Sequence, residues 1–219
     1  VRKGKPKTAI HFQVELNEEQ KEAKKIILEN KVTLLTGKAG SGKTALACNV
    51  ALDLLFQKEI DRIFIARPLV YSESESLGVL PGTVDQKLIG ITTPIIENMY
   101  QLYSKAKIDE LLQSGVIHIL PLSFMRGMTL TRAVLIGDEM QNATPNQMKM
   151  LLTRIGENSR ILVTGDIRQT DRKEGENGLL DFRKLLNEFE NSKYVSSIQF
   201  DNRDIERHPA VEEILKLFR

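Results

Sequence analysis

Short segments rich in apolar and β-branched residues alternate along this chain with longer segments in which apolar residues recur every three or four positions. The short segments predict β-strands, and most of them are apolar at nearly every position, as in strands covered on both faces. Six segments fit, at residues 32–36, 62–66, 116–120, 133–137, 160–164 and 194–198. Residues 11–14 are a further, shorter strand candidate.

The segments with helical periodicity fall between these strands. Asn17 precedes the first of them and is a favourable N-cap, with acidic residues in the turn that follows. Thr93 and Pro94 interrupt a later one, where we expect a second helix to start or the first to kink. The predicted helices are residues 18–28, 44–56, 85–103, 145–153, 179–187 and 209–217. Alternating strands and helices predict an α/β fold of three layers with a mostly parallel central sheet.

The composition suits one ordinary globular domain, since 41% of the 219 residues are hydrophobic and 27% are charged. We expect a basic arm at residues 1–15 and a single domain at residues 16–219. No apolar run is long enough for a membrane span or a secretory signal, so a cytoplasmic location is expected. The net charge of +2 does not by itself indicate nucleic-acid binding. Cys48 has no cysteine to pair with, and no Cys/His cluster predicts zinc.

The segment VTLLTGKAGSGKT, residues 32–44, contains the phosphate-binding pattern of a glycine, four residues and then Gly-Lys-Thr. It lies between a predicted strand and a predicted helix, as that pattern requires. Backbone N–H groups of such a loop bind phosphate oxygens, and the helix N-terminus adds a favourable dipole. Lys43 is expected to reach the β- and γ-phosphates, and Thr44 to bind Mg²⁺. The loop residues expected to contact ATP are Gly37, Lys38, Ala39, Gly40, Ser41, Gly42, Lys43 and Thr44.

Two further strand ends carry polar residues that suit the same site. Asp138 follows the strand at residues 133–137 and is expected to share the Mg²⁺ with Thr44, while Glu139 is placed to activate the attacking water. The alternative is that Asp138 and Glu139 simply cap the helix that follows them. After the strand at residues 160–164, Gln169 is expected to sense the γ-phosphate, and Asp166 to orient it or to cap the turn.

These motifs together resemble the first RecA-like half of superfamily-one helicases and, more specifically, the PhoH-like ATPases. The resemblance covers about residues 15–218. It rests on the phosphate loop and on further motifs, namely Ala66-Arg67-Pro68, Asp138-Glu139-Met140-Gln141, Gly165-Asp166-Ile167-Arg168-Gln169 and the segments at 17–20, 77–82, 123–130 and 204–209. It departs at residues 71–74, where Tyr-Ser-Glu-Ser replaces the usual Glu-Ala-Gly-Glu, within a predicted long loop at residues 69–81.

The resemblance implies a RecA-like P-loop ATPase that uses ATP and Mg²⁺, assembles into an oligomer, with a hexameric ring suspected, and acts on single-stranded RNA or DNA. In that group a glutamine upstream of the phosphate loop reads adenine, and Gln20 holds the matching place, with an ordinary exposed helix glutamine as the alternative. The sequence ends after one such unit, so we expect a neighbouring subunit to supply an arginine to the site. Arg207 is the first candidate and Arg126 the second.

Other functions share the phosphate loop. The main alternative to the nucleic-acid function is a switch or remodelling ATPase that acts on protein partners without nucleic acid. A small-molecule kinase fits less well, because kinases do not need the glutamate that Glu139 would provide to activate water. Scattered basic residues could bind phosphates, although such charges more often only solvate a surface. They are Lys3, Lys5, Lys7, Arg126, Arg132 and Lys149.

Overall fold

The computed structural model of the protein describes residues 12–68, 84–169, 175–189 and 192–200, with only the backbone for residues 84–91. The predicted loop at residues 69–81, the predicted terminal helix at residues 209–217 and Arg207 lie outside these ranges, as do Lys3, Lys5 and Lys7.

Among the described residues, six strands form one sheet in which every pairing is parallel. The strands are β1 (Val32–Thr36), β2 (Arg62–Arg67), β3 (Ile117–Pro121), β4 (Ala133–Gly137), β5 (Arg160–Gly165) and β6 (Val195–Gln199). Their order across the sheet is β3-β2-β4-β5-β1-β6. The carboxyl ends of β2, β4, β5 and β1 are therefore consecutive neighbours along one edge. Polar residues that follow these strands meet there, although they are far apart in sequence.

In the same ranges, six α-helices connect or precede the strands. They are α1 (Glu18–Glu29), α2 (Lys43–Phe56), α3 (Val84–Leu102), α4 (Lys105–Gln113), α5 (Pro145–Leu152) and α6 (Gly178–Glu188), and they are joined by two short 3-10 helices, Leu122–Met125 and Met140–Asn142. Neighbouring strand residues face opposite layers, since Leu35 packs with α1 to α4 and Leu34 with α5 and α6. The α/β fold with three layers is confirmed. Within the described ranges, none of the helices combines the length and apolar character that a bilayer crossing requires.

Some predictions of local structure were wrong. Residues 12–14 form no strand; instead, Phe12 packs edge-on against Tyr103 and the backbone N–H of Gln13 donates to the carbonyl of Leu102. Of the two effects expected of Pro94, the start of a second helix does not occur, since α3 continues through this residue with Ile95 and Met99 buried. The sequence reading also missed α4 and both 3-10 helices. Burial against the sheet outweighs the local cost of a proline in α3.

Candidate active site

The phosphate loop connects the carboxyl end of β1 to the first residue of α2, Lys43. Gly42, the N-cap of α2, has φ 76°, a left-handed conformation that disfavours residues with a side chain. A Cβ there would also lie 2.6 Å from Nε2 of Gln20. The backbone turn therefore requires glycine, and any larger residue would also displace the amide of Gln20.

Lys43 is buried within the loop it follows. Its ammonium group donates to the carbonyl oxygens of Gly37 at 2.9 Å and Lys38 at 2.7 Å, and to Oγ of Ser41 at 3.2 Å. Only 8% of the residue is exposed. The loop thus encloses a positive charge, which suits the binding of phosphate oxygens.

Asp138 lies directly after β4 and is 1% exposed. Its Oδ1 accepts hydrogen bonds from the hydroxyl of Thr44 at 2.7 Å and from the hydroxyl of Thr164 at 2.6 Å. Its backbone N–H donates to the carbonyl of Ala66 on β2. The structure therefore brings together the two predicted Mg²⁺ ligands, Thr44 and Asp138, from the ends of different elements.

Arg67, the last residue of β2, contacts both acids of the site. Its Nε donates to Oδ2 of Asp138 at 2.9 Å, and its Nη2 donates to Oε1 of Glu139 at 3.4 Å. The Arg67 side chain points to the two carboxylates. This ion pairing offsets the cost of burying the charge of Asp138.

Glu139 has an unusual backbone conformation for a residue with a side chain, with φ 54° and ψ 39°. Its Oε2 accepts a hydrogen bond from Nε2 of Gln141, whose Oε1 in turn accepts from the backbone N–H of Asp166. The left-handed turn directs the carboxylate toward the site, and Gln141 links it to the end of β5. Local strain of this kind is common at functional sites.

Asp166 connects β5 to the phosphate loop. Its Oδ2 accepts from the backbone N–H of Ala39 at 3.0 Å, and its Oδ1 accepts from the N–H of Arg168 at 3.0 Å. It thus caps the turn after β5, one of its two expected roles, and also holds the loop. Arg67, Glu139, Gln141, Asp166 and Ala39 form a continuous chain of contacts from β2 to the loop.

A cavity of about 390 Å³ lies between the phosphate loop and α3. Thr44, Glu139 and Gln169 line it, together with Asn98 and Gln101 of α3 and most of the phosphate loop. Its size is in the range of small-molecule sites. Gln169 is exposed and lines this cavity together with Glu139.

Gln20 lies beside the loop, where its side chain forms part of the cap of α1. Its Oε1 accepts from the backbone N–H of Asn17, and its own backbone N–H donates to Oδ1 of Asn17. The amide nitrogen faces Gly42. The alternative of an ordinary exposed helix residue does not describe this position, because Gln20 is half-buried against the loop.

Other predicted candidates are elsewhere. Arg126 is exposed after the 3-10 helix that follows β3. Arg132 pairs with Asp61 at the amino-terminal end of the strands, away from the phosphate loop. Cys48 is fully buried in α2; burial, with the nearby charge of Asp138, raises the pKa of its thiol. Among the described residues, no group of three or more His, Cys, Asp and Glu side chains could hold a metal ion.

Sequence reasoning missed the contacts of three residues, Arg67, Gln141 and Thr164. Two of them belong to motifs that carry the resemblance, but nothing in their spacing indicated that they touch Asp138 or Glu139. Thr164 ends a strand pattern in which a threonine is an ordinary residue. Only the adjacency of β2, β4 and β5 identifies these contacts.

The sequence is similar to one protein family and to several of its members. The profile of a family described as PhoH-like protein matches residues 14–219. A PhoH-like protein of Synechocystis sp. is 40% identical over 91% of this chain and 60% of its own length. A PhoH-like protein of Bacillus subtilis is 36% identical over 91% and 61%, and Protein PhoH of Escherichia coli K12 is 35% identical over 92% and 57%. The chain thus spans about 60% of these relatives.

Solved structures share the fold at low sequence identity. The large terminase of a thermophilic bacteriophage matches with a TM-score of 0.58 at 10% identity, covering 92% of this chain and 50% of that one. The UvsW helicase of bacteriophage T4 gives 0.53 at 12%, covering 85% and 61%. The SWI2/SNF2 ATPase core of Sulfolobus solfataricus, solved with dsDNA, gives 0.50 at 15%, covering 89% and 47%.

Proposed function

Since this chain belongs to the PhoH-like family, we propose that it binds Mg²⁺ and ATP in the cavity between the phosphate loop and α3 and hydrolyses the γ-phosphate. The observation that carries the proposal is the 2.7 Å contact between the hydroxyl of Thr44 and Oδ1 of Asp138, beside the buried ammonium of Lys43. The site thus combines the ammonium group of Lys43, which can bind phosphate, with two hard oxygen donors for Mg²⁺, those of Thr44 and Asp138.

The residues present fit a magnesium–nucleotide complex. Thr44 and Asp138 offer the hydroxyl and carboxylate oxygens that Mg²⁺ prefers, and the loop residues from Gly37 to Thr44 would hold the phosphates. Bound there, Mg²⁺ would neutralise charge on the β- and γ-phosphate oxygens. The close packing of Gln20 against Gly42 supports a role for Gln20 at the edge of the same site, where its amide would read adenine.

Glu139 is the proposed general base. Its carboxylate lines the same cavity as Thr44 and is held by Gln141, so it can accept a proton from a water that attacks the γ-phosphate. Gln169 lines the same cavity and would hydrogen-bond the γ-phosphate. A kinase is the less favoured alternative, because a carboxylate placed to activate water would hydrolyse ATP instead of transferring its phosphoryl group to a substrate.

We further propose that hydrolysis is coupled to single-stranded RNA or DNA. Two similar folds belong to proteins named as a helicase and as an ATPase core in complex with dsDNA. In this chain, Phe124 is 60% exposed beside exposed Arg126 at the carboxyl end of β3, where a base could stack and a phosphate could pair. A second cavity, of about 280 Å³, adjoins the phosphate loop and is lined by Lys38, Arg168 and Arg183.

The test is the ATPase rate with and without single-stranded RNA and DNA, at low and at high salt. We expect Mg²⁺-dependent hydrolysis that Lys43→Ala abolishes and that nucleic acid stimulates, with stimulation lost steeply as salt rises because phosphate contacts release counterions. Hydrolysis that ignores both nucleic acids at every salt concentration would favour the alternative of a switch or remodelling ATPase for protein partners.

The oligomeric state is a separate proposal. Charge on the γ-phosphoryl oxygens during transfer is stabilised in other NTPases by an arginine supplied in trans, worth about 10³ to 10⁵ in rate. We propose that this protein forms an oligomer, with a hexameric ring as the expected form, in which Arg207 completes the site of a neighbouring subunit. Arg126 is the second candidate, and its exposure beside the carboxyl edge of the sheet is compatible with a contact between subunits.

A further inference from the structure

Arg67 lies on the acids that the proposed function assigns to the metal and to the attacking water. Its guanidinium spans from Oδ2 of Asp138, at 2.9 Å, to Oε1 of Glu139, at 3.4 Å. One cation therefore pairs with both carboxylates, of which Asp138 is buried and Glu139 is partly exposed.

The same contacts conflict with a divalent cation. Oδ1 of Asp138 already accepts two hydroxyl groups, and Oδ2 accepts Arg67. A magnesium ion held by Thr44 and Asp138 would lie close to the guanidinium group of Arg67. The two positive charges would repel each other strongly in a partly buried site. Arg67 and a bound metal ion would therefore each weaken the interaction of the other with this carboxylate.

We propose that Arg67 is a positioning residue that competes with Mg²⁺ for Asp138 and must leave it when the metal–nucleotide complex binds. The inference rests on the proposed function. Departure of Arg67 frees Oε1 of Glu139, while Gln141 still holds Oε2. Binding of the metal and release of the general base are thereby coupled. Glu139 stays paired with Arg67 until Mg²⁺–ATP is in place.

The position of Arg67 makes such a movement feasible. Movement of the Arg67 side chain leaves the backbone pairing of β2 with β3 intact, and 19% of the side chain is exposed to solvent. The residue is followed directly by Pro68, which favours extended backbone at Arg67 in either arrangement.

The experiment measures metal binding directly, with Mn²⁺ as the probe, by titration of the free ion in the absence of nucleotide. Four variants separate charge from packing. Arg67→Ala and Arg67→Gln remove the positive charge, Arg67→Lys keeps it, and Arg132→Ala removes an arginine whose ion pair with Asp61 lies at the amino-terminal end of the strands. A parallel titration follows the Mg²⁺ dependence of binding of a fluorescent ATP analogue.

We expect Mn²⁺ to bind Arg67→Ala and Arg67→Gln about tenfold more tightly than the wild-type protein, because a repelling charge is gone. Arg67→Lys and Arg132→Ala should resemble the wild type. The midpoint of the Mg²⁺ titration should fall by a similar factor in the neutral variants. If Arg67→Ala fails to fold, the comparison of Arg67→Gln with Arg67→Lys gives the same answer.

Unchanged or weaker Mn²⁺ binding in the neutral variants would overturn the proposal and leave Arg67 as a brace that orients Asp138. Failure of the proposed function has a different signature. A wild-type protein that binds no nucleotide at any Mg²⁺ concentration would refute the ATPase, whereas the Mn²⁺ titration would still decide whether Arg67 and a metal compete for Asp138.

Discussion

Thr164, the penultimate residue of β5, donates its hydroxyl hydrogen to Oδ1 of Asp138 over 2.6 Å. The two side chains come from adjacent parallel strands and are both buried. Asp138 is thus oriented from three sides, by Thr164, by Thr44 and by Arg67. The direction in which it presents its oxygens depends on the register of β4 and β5.

Replacing Thr164 with Val keeps the shape of the side chain and removes this hydrogen bond. We expect a loss of about 1.5–3 kcal/mol in stability, typical of a bond to a charged group, and an Mg²⁺ affinity about 10–100-fold weaker, typical of lost partners of metal ligands. Thermal unfolding and a Mg²⁺ titration of ATP hydrolysis measure the two effects. The control is Thr33→Val on β1, which loses a bond to Ser196 but should leave the Mg²⁺ requirement unchanged.

Replacing Glu139 with Gln should retain nucleotide binding and reduce turnover by about 10² to 10⁴, since general-base assistance contributes that much in other enzymes. The amide can still interact with Gln141 and the backbone turn is unaltered. Binding of a fluorescent ATP analogue and phosphate release under saturating ATP separate the two properties. Wild-type turnover in Glu139→Gln would remove Glu139 from the mechanism.

The two partners of the cap on α1 provide a matched pair of variants. Asn17→Ala removes the N-cap and should destabilise the helix by about 0.5–2 kcal/mol, while the side-chain amide of Gln20, which faces Gly42, is retained. Gln20→Ala also weakens the cap, but in addition it should reduce the preference for ATP over GTP by about tenfold or more, if the amide reads adenine. Competition binding with both nucleotides measures this preference. Equal preferences in the two variants would leave Gln20 with a structural role only.

Cys48 should be inert in the folded protein. Burial raises the pKa of its thiol, so the reactive thiolate is suppressed at neutral pH and a modest increase in pH does not restore it. Labelling by a disulfide reagent at pH 8 should be at least about a hundredfold slower than in urea, where exposure returns an ordinary thiol. Rapid stoichiometric labelling of the folded protein would show that α2 is accessible.

Mixing experiments test the proposed arginine in trans. Arg207→Ala and Glu139→Gln subunits should each be inactive alone, because one lacks the cation and the other the base. Mixed oligomers should regain partial ATPase activity, since some interfaces then combine an intact Arg207 with an intact Glu139. Sedimentation gives the oligomer size in the same samples. An active monomer that shows no complementation would refute the proposal.

The sequence by itself determined the six strands of the sheet, most helices and the phosphate-loop motif on which the proposed site is built. Buried parallel strands are apolar at nearly every position, and a phosphate loop needs its glycines and lysine at fixed spacing, so both leave local patterns that can be read directly. The strand 133–137 has the bounds that its apolar pattern predicts, and the side-chain oxygens of the two predicted Mg²⁺ ligands, Thr44 and Asp138, lie 2.7 Å apart.

Only the tertiary structure decided which side chains meet those residues. Arg67 ends β2 and Thr164 lies near the end of β5, and they reach Asp138 because the sheet order places β4 between β2 and β5. That order results from pairing between segments far apart in sequence, which leaves no local pattern. The same reason explains why Pro94 was tolerated in α3, since burial of Ile95 and Met99 against other elements outweighs the local preference of proline.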